Sequence, residues 1–308
     1  MSAMSASPVP TREPSVLPVP RDGIAGAAPY GAPQLPVAHA LNVNENPYGP
    51  SEELAAAIGA AAAQAAAGLN RYPDREALDL RRELGEYLAE ESGVPAPPAE
   101  AVWAANGSNE VMHQLLLAYG GPGRTALGFT PSYSMHPLIT ASTGAAWVEA
   151  PRDAGFDIDI DTAVAAVREH RPDVVFLCTP NNPTGNGLGL EVVEAVLAAT
   201  DGIVIVDEAY AEFARPGFRT ALGLLPDHPR LVVSRTMSKA FAFAGVRLGY
   251  AVAHPALVDA LRQLVQAPAP APEPGFQRVA APVAQVGAGR DAQVCELGLH
   301  HLAHARQL

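Results

Sequence analysis

From about residue 100 onward, the chain alternates short, almost wholly apolar runs with stretches of helical periodicity. The apolar runs are Ala101–Ala104, Thr125–Phe129, Ala145–Val148, Val174–Cys178, Ile203–Val206, Leu231–Ser234 and Tyr250–Ala253, and the helical stretches are Asn109–Ala118, Asp161–His170 and Leu190–Ala199. Continuous apolar strands separated by helices need a sheet that is covered on both faces. The alternation therefore predicts an α/β fold, in which ligands bind at the carboxyl ends of the strands.

The first hundred residues show two further helical patterns. Ser51 is a suitable N-cap and Gly68 a suitable stop for a helix over Ser51–Ala67. A second helical stretch begins at Asp74 and runs to Glu91. Residues 1–36 are rich in Pro, Ser, Ala and Gly without periodicity, which predicts a flexible arm.

Polar motifs lie within a few residues after the ends of five of the apolar runs. They are Asn106–Asn109, Pro131–Tyr133, Asn181–Gly185, Asp207–Tyr210 and Ser238–Lys239. Because ligands collect at the carboxyl edge of such a sheet, we expect these five segments to surround one pocket.

Composition excludes several classes of function. The net charge of −12 argues against a nucleic-acid partner, because phosphate backbones need a basic surface. No apolar run approaches the roughly 20 residues of a membrane span, so no membrane association is expected. Cys178 and Cys295 form no disulfide framework, and no His or Cys cluster has metal-ligand spacing. A reducing cytoplasm is the expected location.

Lysine is almost absent from the chain. Of the 20 basic residues only Lys239 is a lysine, as if arginine had replaced lysine wherever a positive charge is enough. A guanidinium stays protonated, whereas an amine can lose its proton and attack a carbonyl. The composition therefore marks Lys239 as a candidate for covalent chemistry, although one lysine can also persist by chance.

Each motif alone also has an ordinary explanation. Asn106–Glu110 favours a phosphate site at a helix start, but a simple N-cap looks the same. Asp207 at the end of an apolar run is typical of nucleotide hydrolases, which also need a Gly-Lys-Ser/Thr loop. Lys239 follows Ser238 and lies in no such loop, so that interpretation fails. A carboxylate at this position can instead pair with the protonated ring nitrogen of a pyridine cofactor.

Taken in order, the motifs resemble the aspartate-aminotransferase-like family of pyridoxal-phosphate enzymes, and most closely its histidinol-phosphate aminotransferase branch. The segments that carry the resemblance are Leu41–Pro50, Leu69–Asp74, Asn106–Glu110, Pro131–Met135, Pro180–Gly185, Asp207–Tyr210, Arg235–Phe241 and Arg247, and together they cover about residues 38–262. The resemblance implies a fold type I large domain, with a mostly parallel seven-stranded sheet, over residues 69–262. It also implies that residues 37–68 contribute to a small domain.

The resemblance assigns a role to individual residues. Lys239 would bond covalently to pyridoxal 5′-phosphate and then carry a proton between the substrate and the cofactor. Asp207 would keep the pyridine nitrogen protonated, and Tyr210 would bind the phenolic oxygen of the ring together with Asn182. The other cofactor-binding residues would be Tyr133 against the ring, Ser108, Asn109, Thr236, Ser238 and Arg247 at the phosphate, and Tyr72 from a neighbouring subunit. Asn46 and Tyr48 would lie near the substrate.

The implied activity is amino-group transfer from histidinol phosphate to 2-oxoglutarate, a step of histidine synthesis, by a homodimer. An aromatic amino acid aminotransferase, a phosphate-substrate decarboxylase of the same fold and a truncated, inactive relative remain alternatives. The resemblance ends near Arg262, because residues 263–308 open with an Ala-Pro repeat and lack apolar spacing. We expect a disordered tail there, from a replaced end or a shifted reading frame, with the C-terminal small domain largely missing.

Overall fold

A computed structural model describes residues 42–266 without a break, together with residues 18–21, 24, 31, 33, 36 and 37. Most of the predicted arm over residues 1–36 lies outside the described residues, as do residues 267–308 of the predicted tail. In the part of the chain that the structure describes, no helix is long and apolar enough to cross a membrane.

Seven helices and seven strands make up the described fold. The helices are α1 (Glu52–Ala66), α2 (Leu78–Ser92), α3 (Ser108–Tyr119), α4 (Met135–Thr143), α5 (Ile160–His170), α6 (Leu190–Ala199) and α7 (Pro255–Val265). The strands are β1 (Val102–Ala105), β2 (Thr125–Thr130), β3 (Ala146–Pro151), β4 (Val174–Cys178), β5 (Ile203–Asp207), β6 (Leu231–Thr236) and β7 (Gly249–Ala253). Short 3₁₀ turns lie at Ala99–Ala101, Ala211–Phe213 and Ala221–Leu224.

All seven strands form one sheet, in the order β1-β7-β6-β5-β4-β2-β3. Only β7 runs against its two neighbours, and the other neighbouring pairs are parallel. The predicted α/β fold with a mostly parallel seven-stranded sheet is confirmed. Each residue of β4, β5, β6 and β7 is buried, which explains why these strands appear in the sequence as unbroken apolar runs.

Helices cover the sheet on both faces. Side chains of a strand alternate between the two faces, so Val204 and Val206 pack in one core and Ile203 and Ile205 in the other. Each fully buried aliphatic side chain of this kind contributes about 1.5–3 kcal/mol to folding. The central strands are therefore held firmly by packing on both faces, and this packing also fixes where the loops at their ends begin.

Two helices differ from the sequence prediction. Helix α2 begins at Leu78 rather than Asp74, because the Asp74 carboxylate accepts hydrogen bonds from the N–H groups of Glu76 and Leu78 and closes a turn first. Helix α4 was not predicted. In contrast, α1 begins after Ser51 as expected, and the Ser51 hydroxyl accepts a hydrogen bond from the Leu54 N–H at 3.2 Å.

Candidate active site

A cavity of about 250 Å³ lies at the carboxyl edge of the sheet, where the five polar motifs meet. The predicted cofactor-binding residues that line it are Ser108, Asn109, Tyr133, Asn182, Asp207, Tyr210, Thr236, Ser238, Lys239 and Arg247. Val43, Glu45, Cys178, Ala209 and Ala244 complete its lining. The expected convergence of five strand ends on one pocket is confirmed.

One end of the cavity is formed by the start of α3. This helix begins at Ser108, and its N-cap, Gly107, has no side chain to occupy the first free N–H groups. The unpaired N–H groups and the helix dipole favour an anion at that point. Thr236 and Ser238 add two hydroxyl groups on the neighbouring side of the cavity.

Arg247 supplies the cation at the same end. Its Nη1 donates hydrogen bonds to the Ser238 hydroxyl at 3.3 Å and to the Ala244 carbonyl at 3.1 Å. A Cβ atom on Gly107 would come within 2.6 Å of Arg247 Nη2, and one on Gly249 within 2.0 Å of the Ser108 nitrogen. Gly249 is therefore required for the close approach of the Ser108 backbone, and Gly107, with φ +89°, leaves space for the Arg247 guanidinium.

Asp207 lies at the base of the cavity and is only 2% exposed. Its Oδ2 is 3.1 Å from His136 Nε2, and its Oδ1 accepts the N–H of Ala209 at 3.1 Å. A carboxylate only accepts, so Nε2 of His136 must donate. The His136 ring stacks on Phe176 with centroids 4.5 Å apart, which fixes its orientation. Two partners therefore hold Asp207 in place while it faces the cavity.

The role of His136 was not predicted. One histidine beside a proline, in a helix that was itself missed, carries no distinctive sequence signal. In the structure the His136 and Tyr133 rings meet edge to face, with centroids 5.4 Å apart.

Lys239 is half-buried, and its amine points into the cavity. Nζ donates to the carbonyl oxygens of Val43 at 2.9 Å and Asn44 at 3.3 Å, and lies 5.8 Å from the centre of the Tyr210 ring. Burial lowers the pKa of this amine, Glu45 raises it and Arg247 lowers it further, with a net decrease. A lower pKa increases the neutral, nucleophilic fraction at any given pH.

Two neighbouring amide side chains lie at and beside the cavity lining. Asn181 is buried, and its Nδ2 donates to the Pro131 carbonyl at 3.1 Å, so it ties the loop after β2 to the loop after β4. Its neighbour Asn182 lines the cavity. Tyr133 also lines the cavity, and its hydroxyl donates to Asn109 Oδ1 at 3.4 Å.

Three predicted site residues do not line this cavity. Tyr48 is 79% exposed and Tyr72 65% exposed. Asn46 is closer, because its Nδ2 donates to the carbonyl of Ala240 at 3.2 Å. Conversely, Cys178 was not predicted as a lining residue, and burial together with the nearby Asp207 raises the pKa of its thiol to about 12. That thiol therefore stays protonated and unreactive.

Two other features of the described residues bear on the choice of this cavity. Residues 42–266 contain no group of three or more His, Cys, Asp or Glu side chains able to hold a metal ion. A wider groove of about 560 Å³ runs between residues 184–191, which include the start of α6, and residues 213–219. It does not gather the five strand ends, as the smaller cavity does.

One known protein family matches the part of the chain that contains both the sheet and the polar motifs. Residues 39–289 match the family described as aminotransferase class I and II. The chain belongs to this family. The match includes each strand, each residue that lines the cavity and the Lys239 segment, so the predicted family is confirmed.

Sequence relatives define the branch. The chain is 64% identical to the histidinol-phosphate aminotransferase of Thermobifida fusca over 248 residues. The aligned stretch covers 80% of this chain and 66% of the relative. It is 57% identical to that of Frankia casuarinae, over 78% of this chain and 62% of the relative. With Nocardia farcinica the identity is 51% over 288 residues, or 90% and 74% of the two chains. The chain thus spans less than two thirds of the first two relatives.

Solved structures agree on the architecture. The histidinol-phosphate aminotransferase of Sinorhizobium meliloti, solved in complex with pyridoxal 5′-phosphate, superposes with a TM-score of 0.68 at 23% identity, over 86% of this chain and 65% of that one. An aspartate aminotransferase of Thermus thermophilus with maleate gives a TM-score of 0.68 at 23% identity, over 87% and 66%. At this identity the likeness establishes the fold alone.

Proposed function

We propose that this chain binds pyridoxal 5′-phosphate through Lys239 and transfers the amino group of histidinol phosphate to 2-oxoglutarate. The observation that carries the proposal is the 64% identity to the Thermobifida fusca enzyme. In addition, the one lysine of the chain lines the same cavity as the buried Asp207 carboxylate. The Sinorhizobium enzyme of the same fold was solved with this cofactor.

The chemistry of the cavity supports a phosphate at the end formed by α3. A phosphate group needs hydrogen-bond donors and positive charge, and this end has the helix start at Ser108, the hydroxyls of Thr236 and Ser238, and the Arg247 guanidinium. The glycine at position 107 leaves room for the Arg247 side chain. We assign the phosphate to these residues and to Asn109.

The base of the cavity suits a pyridine ring. Asp207 is buried, and His136 and the Ala209 N–H hold its carboxylate in one orientation. A carboxylate in that position would keep a proton on the ring nitrogen. Tyr133 would pack against the face of the ring. Asn182 and Tyr210 would donate hydrogen bonds to its phenolic oxygen.

Lys239 would act first as a nucleophile and then as a base. When bound, the cofactor supplies an aldehyde that bonds to amines and a ring that accepts electrons from the substrate carbon. The lowered pKa of Lys239 favours the neutral amine that both roles need. Its present partners, the carbonyls of Val43 and Asn44, only accept hydrogen bonds and leave the amine chemically intact.

We further propose a homodimer that works in the cytoplasm. Tyr72 is 65% exposed and lies away from the cavity of its own chain, which fits a side chain that reaches the phosphate of a partner subunit. Asn46 and Tyr48 would approach the substrate from the segment that also contacts Lys239. The cytoplasmic location rests on the absence of a disulfide framework in the sequence.

Cofactor attachment and substrate preference are tested separately. The purified protein, incubated with pyridoxal 5′-phosphate, should turn yellow, and borohydride should fix the cofactor on the peptide that contains Lys239. A label on another residue, or no label, would overturn the cofactor proposal.

Amino transfer is then assayed with 2-oxoglutarate and three donors: histidinol phosphate, phenylalanine and tyrosine. Carbon dioxide release is measured in parallel with phosphoserine and phosphothreonine, which carry both a phosphate and a carboxylate. We expect glutamate formation with histidinol phosphate at a kcat/KM well above those of the aromatic donors. Preference for an aromatic donor would make the chain an aromatic aminotransferase, and carbon dioxide release would make it a decarboxylase. Cofactor binding without turnover on any donor would leave only a binding protein.

A further inference from the structure

A cluster of buried charges lies behind the cavity, on the opposite face of the same two strand ends. Asp207 and Thr236 line the cavity. Because side chains alternate along a strand, Glu208 and Arg235 lie on the opposite face, the one that carries Val206 and Val233. Arg235 is 1% exposed and Glu208 is 0% exposed. Neither residue lines the cavity, both are almost wholly buried, and the proposed mechanism does not use them.

Arg235 binds two carboxylates at once through the fork of its guanidinium. Its Nε donates to Glu208 Oε2 at 2.9 Å and its Nη2 lies 2.8 Å from the same atom. On the other side, Nη1 donates to Glu212 Oε1 at 3.1 Å. A third carboxylate, Glu91, has its Oε2 3.7 Å from Nη1. A lysine ammonium is a point charge and cannot make this forked arrangement.

The two carboxylates bracket a segment of the active site. Glu208 directly follows Asp207, and Glu212 lies two residues after Tyr210. Arg235 itself precedes Thr236 and lies four residues before Lys239. One guanidinium therefore connects the segment with the candidate ring-binding carboxylate and phenol to the segment with the candidate amine.

Further contacts anchor this cluster to the body of the fold. The Thr220 hydroxyl donates to Glu208 Oε2 and the Ala221 N–H to Glu208 Oε1, each at 2.7 Å. The Tyr87 hydroxyl, on α2, donates to Glu212 Oε1 at 3.3 Å. The same Tyr87 ring meets Phe241 edge to face, with centroids 5.4 Å apart, just beyond Lys239.

Stability alone gives a poor reason for such a cluster. Buried ion pairs contribute little net stability compared with apolar residues of the same size, because desolvation offsets the attraction. Here three carboxylates surround one guanidinium, and burial raises the pKa of Glu212, with Arg235 opposing the shift. What the forked cluster provides, and an apolar one does not, is a fixed direction and separation between two loops.

We propose that Arg235 is a positioning residue for the active site: its guanidinium holds the segment over residues 207–212 at a fixed distance from the segment over residues 236–239. The three candidate groups, Asp207, Tyr210 and Lys239, then keep the separation that the chemistry needs. The inference rests on the proposed function for its meaning in catalysis. The geometric link itself does not depend on that function.

The test compares four variants with the parental chain. Arg235→Lys keeps the positive charge and loses the fork, while Glu212→Ala removes one arm and leaves Arg235 paired with Glu208. Glu212→Gln keeps the Oε1 acceptor for Arg235 and Tyr87. Val204→Ala, on β5 and on the same face, is the control for lost packing. A displacement of about 1 Å at a reacting group lowers turnover roughly 100-fold, so we expect losses of about 10- to 100-fold for Arg235→Lys.

For Glu212→Ala we expect a loss in the same range, and Glu212→Gln should recover most of it. Val204→Ala should lower the melting temperature with little change in turnover. The proposal is overturned if Arg235→Lys and Glu212→Ala change only the melting temperature, or if Val204→Ala lowers turnover as much as they do. If Arg235→Lys does not fold, the contrast between the Ala and Gln variants at position 212 decides in the same way.

A second readout does not need activity. In the protein without cofactor, the rate at which an amine reagent labels Lys239, followed by peptide mapping across pH, reports the pKa of that amine. The parental midpoint should lie below the ordinary 10.5, because burial lowers this pKa. Arg235→Lys should move the midpoint upward as the segment loosens, and an unchanged midpoint counts against the proposal. If the parental chain lacks turnover, the proposed function fails while this measurement still tests the link.

Discussion

The two edges of the sheet use polar side chains in opposite ways. At the amino edge, Thr200 donates to the Pro172 carbonyl at 3.2 Å and accepts the Gly202 N–H at 3.0 Å, and Asp173 accepts the Thr125 N–H at 2.9 Å. There the side chains satisfy backbone groups between strands. At the carboxyl edge, Asp207 and Lys239 are held by neighbours but still face a cavity. Polar side chains that satisfy backbone hydrogen-bonding groups thus stabilise the fold. Polar side chains that still face a cavity, and can bind a further group there, mark the candidate site.

The sharpest test of this contrast is Lys239→Arg, which keeps the charge and removes the nucleophile. Turnover should fall by at least the roughly 10²–10⁴-fold that positioned proton transfer contributes, and borohydride should fix no cofactor on the chain. The control variant Arg124→Lys places a second lysine at the amino edge. In this variant borohydride should still fix the cofactor on Lys239. Labelling of position 124 instead would show that the cavity confers no selectivity.

The next largest effect is expected from Asp207→Asn. A neutral amide cannot hold a proton on the ring nitrogen, and loss of such an electrostatic partner costs about 10²–10³-fold in turnover. Cofactor affinity, measured by absorbance titration, should change much less. Asp173→Asn makes the same chemical change at the amino edge and should leave turnover at the parental value. Near-parental turnover in Asp207→Asn would remove this residue from the mechanism.

A smaller effect should separate two glycines that both have a positive φ angle. Gly107 has φ +89° and Gly121 has φ +103°, so an alanine at either position costs about 1–3 kcal/mol in strain. Only at Gly107 would the new Cβ meet Arg247, whereas nothing lies within 4 Å at Gly121. A lost hydrogen bond to a charged group costs about 1.5–3 kcal/mol, so cofactor affinity should fall at least tenfold in Gly107→Ala alone. Equal affinities by titration would contradict the assigned phosphate position.

The smallest effect on activity is expected from Thr200→Val at the amino edge. The valine has nearly the same shape but cannot satisfy the Pro172 carbonyl or the Gly202 N–H, so the free energy of unfolding should fall by about 1–3 kcal/mol in urea denaturation. Turnover per folded molecule should not change. A loss of turnover without a loss of stability would show that the two edges are not separable.

Much of the fold follows from local sequence. The bounds of β4 and α6 were predicted to the residue, because an unbroken apolar run and a well-separated amphipathic stretch are strong patterns. Helix α4 was missed because Pro137 and several β-branched residues disfavour a helix, although proline is tolerated in the first turn. Helix propensity was outweighed there by packing against the sheet.

Much of the cavity lining also follows from sequence, because each motif stands at a strand end and the fold brings the ends together. The contacts that hold the lining in place do not. His136 meets Asp207 across 71 positions of sequence, and Arg235 meets Glu208 across 27, with no local pattern to pair them. Such pairs are products of topology, and only the folded chain reveals them.

The reversed direction of β7 has a consequence for how the chain tolerates change. This strand lies between β1 and β6, so it separates their carboxyl ends by two strand spacings, about 10 Å, and begins where they end. Its first residue, Gly249, sits where any side chain would collide with the Ser108 nitrogen. In a saturation library, position 249 should accept glycine alone, whereas Ala251 and Ala253, farther along the same strand, should accept other small residues. A single backbone reversal thus converts one position of an ordinary strand into an invariant one.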